Sequence, residues 1–146
     1  MEDYLKKILQ AQVYEVAKKT PLEKAKNLSK TLNNNIYLKR EDLQDVFSFK
    51  IRGAYNKMRQ LSKSKLEKGV ITSSAGNHAQ GVALSALKLN CQATILMPIT
   101  TPLVKVNAVK NLKAKVILFG DNYDETHKEA IRISHERNLC LSLIHI

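Results

Sequence analysis

The chain has 146 residues, of which 44% are hydrophobic, and this suits a single domain with a modest core and excludes a largely disordered chain. Its apolar runs are too short to cross a bilayer and its first residues do not begin a signal peptide, so we expect a cytoplasmic protein without a membrane partner. The net charge of +11 would suit nucleic acid, but the 24 Lys and Arg residues are dispersed without a recognised binding motif, so no nucleic-acid partner is expected.

The first half of the chain is predicted to contain helices separated by turns. Apolar residues recur at helical spacing near the start, and Pro21 ends that pattern. Three consecutive asparagines, residues 33–35, indicate a turn. The predicted elements are a helix over 4–14, a helix over 23–32, a strand over 36–39, a helix that begins at Ser48 and a polar helix over 63–68.

From Gly69 onward, short strands rich in Val, Ile and Leu alternate with longer helices. This alternation is typical of right-handed βαβ units, so the expected fold class is α/β, with a parallel sheet and helices on both faces. Ligands in such sheets bind beyond the carboxyl ends of the strands. The predicted strands are 70–73, 93–97, 115–119 and 139–144, and the predicted helices are 77–89, 101–111 and 123–137.

Lys50 lies between Phe49 and Ile51, in the first turn of the helix for which Ser48 is a suitable N-cap. Most lysines in so basic a chain are solvated surface residues. Here an aromatic neighbour reduces solvation and the positive end of a helix disfavours the cation, which favours a neutral amine able to react with an aldehyde. The apolar face of this helix is predicted to contain Ile51, Ala54, Tyr55 and Met58.

A second candidate segment connects the strand over 70–73 to the helix that follows. Ala75 and Gly76 permit a tight turn, and unpaired N–H groups where a helix opens at Asn77 can hold an anion such as a carboxylate. Taken alone, the segment suits a plain connection with Asn77 as N-cap equally well. Together with Lys50 it favours a ligand site. Its residues are Ser74, Ala75, Gly76, Asn77 and His78.

The cysteines and histidines do not have the spacing of metal ligands, and no metal site is predicted. Cys91 and Cys140 are isolated, and we expect them to be buried, reduced thiols. His127 and His135 lie eight residues apart in a polar helical stretch, so we expect both on a solvated face.

Five segments, in order along the chain, resemble the threonine dehydratases (threonine ammonia-lyases) of the biosynthetic type, which are fold-type II pyridoxal-phosphate enzymes related to tryptophan synthase β. The resemblance extends from about residue 4 to about residue 138. The segments are Thr-Pro-Leu at 20–22, Leu-Lys-Arg-Glu-Asp at 38–42, Ser-Phe-Lys-Ile-Arg-Gly-Ala at 48–54, Gly-Val-Ile-Thr-Ser-Ser-Ala-Gly-Asn-His-Ala-Gln-Gly-Val-Ala at 69–83 and Met-Pro at 97–98.

The resemblance implies roles for individual residues. Lys50 would form the Schiff base with pyridoxal 5'-phosphate, Phe49 would pack near the cofactor ring, and Asn77 would hydrogen-bond the phenolic oxygen of the ring. The backbone of residues 74–78 would receive the substrate carboxylate. The implied reaction is β-elimination of L-threonine to 2-oxobutanoate and ammonia, in the isoleucine branch of branched-chain amino-acid biosynthesis. A homo-oligomer, a tetramer when full length, is also implied.

Two positions bear on which reaction of the family is expected. Ile51 stands where sulfhydrylases and threonine synthases of this fold commonly carry an acidic residue, which disfavours those activities. Ala75 stands where serine racemases commonly carry a serine that transfers a proton, which disfavours racemisation. The alternatives left open are a serine dehydratase or serine racemase-like enzyme, and a non-catalytic α/β binding module.

The sequence departs from the family where it stops. Family members continue into a second domain with a Gly-rich loop for the cofactor phosphate, and often a regulatory domain, whereas this chain has five glycines and no glycine cluster. We therefore expect residues 1–146 to be a partial N-terminal catalytic region, with a small domain over about 50–146, and to be inactive alone. The family commonly continues with His-Pro-Phe after residue 139, so the last six residues are expected not to be native.

Overall fold

The computed structural model describes residues 3–142, and the N-terminal part of this range contains two helices and a small antiparallel sheet. The two strands pair with Leu22 opposite Lys39 and Lys24 opposite Tyr37. The elements are α1 (Tyr4–Gln10), a 3₁₀ turn (Val13–Glu15), β1 (Leu22–Lys24), α2 (Lys26–Thr31), β2 (Tyr37–Lys39) and a second 3₁₀ turn (Glu41–Leu43).

Two of the predicted N-terminal helices begin or end elsewhere. The helix predicted over 4–14 ends at Gln10. The helix predicted over 23–32 was wrong at its start, because Leu22–Lys24 is a strand. The predicted turn at residues 33–35 is confirmed and brings β2 alongside this segment, and the backbone N–H of Ala25 then donates to the carbonyl of Ile36 at 2.9 Å. Pairing with a distant strand therefore outweighs the local helical pattern.

The C-terminal part confirms the expected α/β fold. Its four strands are parallel and lie in the order β5-β4-β3-β6. Apart from the last strand, the observed boundaries lie within two residues of the predicted ones; of the strand predicted over 139–144, residues 143 and 144 lie outside the described range. The elements are α3 (Lys50–Arg59), α4 (Lys63–Lys68), β3 (Val70–Ser73), α5 (Asn77–Lys88), β4 (Ala93–Met97), α6 (Leu103–Asn111), β5 (Lys115–Leu118), α7 (Tyr123–Arg137) and β6 (Cys140–Leu141).

Helices cover both faces of this sheet, so β3 and β4 are buried along their whole length. On one face, Val70 and Ile95 pack with apolar residues of α3, α5 and α6. On the other face, Ile71 and Leu96 pack against Ala130 and Ile133 of α7. Because side chains alternate along a strand, consecutive residues of β3 such as Val70 and Ile71 pack on opposite faces of the sheet. The expectation of a sheet covered on both faces is confirmed.

Helices α3 and α5 lie close together at Gly81. A Cβ atom at this position would lie 3.2 Å from the carbonyl oxygen of Lys50, 3.3 Å from its carbonyl carbon and 3.4 Å from the Cβ of Ala54. These distances are shorter than ordinary contacts of a Cβ atom, so glycine lets the two backbones lie together without displacing either one. The contact holds the first turn of α3, and therefore Lys50, against α5.

The two helical glycines Gly81 and Gly53 provide a test of this contact. Replacing Gly81 by alanine should lower the free energy of unfolding by about 1–2 kcal/mol, because the added methyl group meets rigid backbone. Gly53 is the matched control, since a Cβ there meets nothing within 4 Å. Gly53→Ala should therefore raise the free energy of unfolding by about 0.5–1 kcal/mol through helix propensity alone. Urea denaturation of the two variants measures both values, and equal stabilisation would contradict the close contact.

Candidate active site

Lys50 is the first residue of α3 and is half-buried. The hydroxyl of Ser48, which is buried, accepts a hydrogen bond from the backbone N–H of Lys50 at 3.2 Å. The N-cap position itself is occupied by Phe49, so the prediction that Ser48 is the N-cap was wrong by one residue. The phenyl ring of Phe49 is 60% exposed, and it is free to contact a ligand placed beside Lys50.

The apolar face predicted for α3 is confirmed, because all four of its residues are buried. The phenol of Tyr55 also donates a hydrogen bond to the carboxylate of Glu15. This face directs α3 toward α5 and toward the N-terminal segment. The four residues are Ile51, Ala54, Tyr55 and Met58.

A polar network fixes the first turn of α3 from the other side. The guanidinium of Arg52 donates to both carboxylate oxygens of Glu41, at 2.8 and 2.9 Å, and also to the carbonyl of Lys18 at 3.0 Å. Glu41 accepts further hydrogen bonds from the hydroxyl of Thr20 and the amide of Gln44. Two-point pairing of this kind is among the stronger and more directional polar contacts in proteins. It anchors the turn that contains Lys50 to the N-terminal segment.

The charge of Glu41 depends on this network. Hydrogen bonds from Arg52 lower the pKa of Glu41 to about 2, with smaller contributions from Thr20 and Gln44, although burial acts in the opposite direction. The same pairing raises the pKa of Arg52. Both the carboxylate of Glu41 and the guanidinium of Arg52 are therefore charged at neutral pH.

Residues 74–76 form the connection between β3 and α5, and Asn77 and His78 are the first two residues of that helix. The backbone N–H of Ser74 donates to the carbonyl of Leu96 at 3.0 Å, and the hydroxyl of Ser74 accepts from the N–H of Gly76 at 3.3 Å. Asn77, the first residue of α5, is exposed. The prediction that the helix begins at Asn77 is confirmed, and the N-cap position, which the alternative of a plain connection gave to Asn77, is held by Gly76.

Gly76 borders open space. Its φ is −127°, which any residue can adopt, and a Cβ atom there would meet nothing within 4 Å. Neither the backbone conformation nor a neighbouring atom of the described chain therefore requires a glycine. The position leaves room for a group from outside to approach the backbone N–H groups at the start of α5.

The structure brings the loop and Lys50 together. His78, in the first turn of α5, is only 6% exposed, and its Nε2 lies 3.4 Å from the carbonyl oxygen of Ser142. Burial lowers the pKa of His78, and the nearby positive charge of Lys50 lowers it further, while the hydrogen bond with Ser142 opposes these effects. The imidazole is therefore neutral at pH 7.

The sequence did not predict the hydrogen bond between Ser73 and His127 at the edge of this site. His127 is half-buried and shares a hydrogen bond of 3.0 Å with the hydroxyl of Ser73, so the prediction that it lies on a solvated face was wrong. His135 is exposed, as predicted. The spacing of the histidines carries no signal for this contact, because it joins a strand and a helix that are 54 residues apart.

Other features of residues 3–142 do not add to the site. This range contains no cluster of three or more His, Cys, Asp or Glu residues that could hold a metal ion, and no helix in it is long and apolar enough to cross a bilayer. Cys91 and Cys140 are free thiols as expected, but both are half-buried and not fully buried. Burial raises the pKa of Cys91, which disfavours its reactive thiolate.

Comparison with known protein families shows which family this chain belongs to. The model of the family described as "Pyridoxal-phosphate dependent enzyme" matches residues 13–142. The chain belongs to this family. The match includes Lys50 and the whole of the 74–78 loop, and it confirms the cofactor class expected from the sequence.

Individual members of the pyridoxal-phosphate dependent enzyme family confirm the resemblance to threonine dehydratases. The chain is 62% identical over 128 residues to threonine dehydratase 1 biosynthetic, chloroplastic, of Solanum lycopersicum, covering 88% of this chain and 21% of that protein. It superimposes with a TM-score of 0.92 on threonine deaminase isoform 2 of the same plant, at 53% identity, covering 96% of this chain and 41% of the other. A maize serine racemase gives a TM-score of 0.87 at 30% identity, covering 96% and 43%. The chain thus spans less than half the length of these relatives.

The residues present fit pyridoxal phosphate. Lys50 has a primary amine of the kind that the cofactor aldehyde requires, and its backbone lies beside Gly81 of α5, the helix that follows the carboxyl end of β3. The side chains of Phe49 and Asn77 are both exposed. Their contacts with the cofactor, like the carboxylate contacts of residues 74–78, remain predictions.

The network around Glu41 predicts a pH-dependent stability. Replacing Glu41 by glutamine should lower the free energy of unfolding by about 2 kcal/mol at pH 7, because the charge-assisted hydrogen bonds to Arg52 are lost. Since the folded-state pKa of Glu41 is about 2 and its ordinary value is 4.5, this stabilisation is present above pH 4.5 and is lost as the pH falls toward 2.

Chemical denaturation at several pH values measures this difference, and Glu67→Gln is the control. The Glu67 carboxylate lies 3.9 Å from the ammonium of Lys63 and its side chain is 65% exposed. Its replacement should change the free energy of unfolding by less than about 0.5 kcal/mol at every pH. A difference between the wild type and Glu41→Gln that stays constant from pH 7 to pH 2.5 would contradict the assignment.

Proposed function

We propose that this chain is the part of a threonine dehydratase that carries the cofactor-binding lysine and the loop for the substrate carboxylate. The observation that carries the proposal is the contact at Gly81, which holds the turn containing Lys50 against the helix that begins at the loop. The identity to threonine dehydratases supports the choice of substrate. Since the chain covers a limited share of those proteins, the activity is proposed for the whole protein to which this chain corresponds.

Several residues of this chain would have distinct roles in the elimination reaction. Pyridoxal phosphate, when bound, supplies an electron sink for the negative charge that develops at Cα of the substrate. Backbone N–H groups of residues 74–78 would hold the substrate carboxylate at the positive end of α5. Lys50 Nζ would take the proton from Cα, because the turn that contains Lys50 lies against the helix that begins at the loop. His78 stays neutral and so adds no positive charge beside the amine of Lys50.

The side chain at position 75 favours elimination over racemisation. Racemisation needs a second group that returns a proton to the opposite face of the substrate. Ala75 has only a methyl group, and no hydroxyl group can be supplied at this point. The resemblance of the fold to serine racemases therefore does not by itself extend to their reaction.

Other properties of the whole protein are part of the proposal. A role in isoleucine biosynthesis and a homotetramer follow from the resemblance to biosynthetic threonine dehydratases. The cytoplasmic location also remains a prediction, and the printed name of the tomato relative places that protein in the chloroplast. Subcellular fractionation and sedimentation of the native protein test these points.

Covalent labelling tests the role of Lys50 directly. Incubation with pyridoxal phosphate followed by borohydride reduction, which makes the lysine linkage permanent, should add one pyridoxyl group to the peptide that contains Lys50. Peptide mass spectrometry locates the label. Lys50→Ala should abolish it, whereas Lys57→Ala, an exposed lysine on the same helix, should leave it unchanged. Equal labelling of many surface lysines, with no preference for Lys50, would contradict the assignment.

Turnover tests the reaction and the substrate. The protein expressed from the complete gene should form 2-oxobutanoate from L-threonine faster than it forms pyruvate from L-serine, and Lys50→Ala should reduce both rates at least about a thousandfold. Chiral chromatography should detect no D-amino acid. Ala75→Ser, which adds a hydroxyl group, should produce a measurable D-isomer. Racemisation by the wild-type protein faster than elimination would support the serine racemase alternative.

A further inference from the structure

The hydrogen bond between Ser73 and His127 ties the carboxyl end of β3 to α7. Ser73 Oγ lies 3.0 Å from Nδ1 of His127. Ser73 is the last residue of β3 and is only 1% exposed, so water does not compete for this bond. The next residue, Ser74, begins the loop over 74–78. The bond therefore acts on the residue from which the loop leaves the sheet.

Neighbouring residues of α7 hold the ring of His127 in place. The ring stacks on that of Tyr123, with centroids 5.6 Å apart and an angle of 9° between the planes. The first turn of α7 is itself capped, because the side chain of Asn122 accepts from the backbone N–H of Glu125 at 3.0 Å. A ring restrained by its own helix can set the position of Ser73.

Main-chain hydrogen bonds restrain the same point of the chain from the β4 side. The N–H of Ser74 donates to the carbonyl of Leu96, and such bonds lie in the plane of the sheet. They leave the loop able to tilt toward either face. The Ser73–His127 bond acts on the face that α7 covers, where Ile71 also packs, and so opposes tilting away from that face.

We propose that His127 is a positioning residue of the active site. Through Ser73 it sets the direction in which residues 74–78 leave β3, and so places the N–H groups that receive the substrate carboxylate. This inference rests on the proposed function, which gives the loop a carboxylate to bind. Loss of His127 should therefore weaken substrate binding more than it slows the chemical step, because Lys50 is held by α3 on the opposite face of the sheet.

Steady-state kinetics of the protein expressed from the complete gene, saturated with pyridoxal phosphate, tests the proposal. His127→Ala should raise KM for L-threonine about three- to tenfold, the effect of one hydrogen bond, with kcat within about twofold of the wild type. His127→Asn places an amide near the position of Nδ1 and should return KM to within about twofold of the wild type. His127→Gln places its amide further from the backbone and should resemble His127→Ala.

Ser73 provides the second arm of the experiment. Ser73→Ala should raise KM as much as His127→Ala, and the double variant should show no further increase, because both changes remove the same bond. Ser73→Ala is also a small change that keeps the proposal testable if His127→Ala fails to fold. Additive effects, a fall in kcat with unchanged KM, or an asparagine variant as impaired as the alanine variant would each overturn the proposal.

Hydrogen–deuterium exchange separates this inference from the proposed function. If the wild-type protein does not convert L-threonine, the proposed function fails, and exchange at the amides of residues 74–78 then decides whether His127 positions the loop. His127→Ala should speed this exchange about three- to tenfold, and His127→Asn should restore the wild-type rate. Unchanged exchange in His127→Ala would overturn the inference whatever the protein catalyses.

Discussion

The contact between α3 and α5 at Gly81 is the constraint on which the site depends. Two helices that meet through a glycine can bring their backbones closer than side chains would allow. Here a Cβ atom added to that glycine would lie 3.2 Å from the carbonyl oxygen of Lys50. The packing of the hydrophobic layer therefore also fixes the position of Lys50, since Ala54 and Met58 of the same helix belong to the core that α5 helps to form.

The N-terminal segment contributes apolar contacts as well as polar ones, because Ala17 and Val46 pack with Ile51 of α3 and Leu84 of α5. Helix α1 has no buried residue, and β1 and β2 are exposed along their length. Yet Glu41 and Gln44 connect this segment to Arg52, two residues beyond Lys50. Hydrogen bonds between charged groups are directional, so this network orients the first turn of α3. Burial of the apolar face of α3 supplies most of the free energy that holds the helix in the fold.

The alternating part of the fold could be predicted because each element carries its own pattern. Strand β4 and helix α7 are long enough for their apolar spacing to show the element and its bounds. The short strand at Leu22–Lys24 could not be predicted, because it exists through pairing with β2 and has no local signal. For the same reason Lys50 was found in the sequence and His127 was not. The lysine stands in a recognisable motif, whereas the histidine acquires its role only when α7 folds over β3.

The site draws on both faces of one sheet. Lys50 lies in the α3–α5 layer, whereas His127 lies in the α7 layer and shares a hydrogen bond with Ser73 at the carboxyl end of β3. Because successive residues of a strand point to opposite faces, Ser73 can be held by one layer while Ser74 begins a loop that leads into the other. A change in the direction of the loop would displace the N–H groups that we propose to bind the carboxylate, without moving Lys50. Two independent restraints at this edge, one from each layer, would keep the distance between lysine and loop constant.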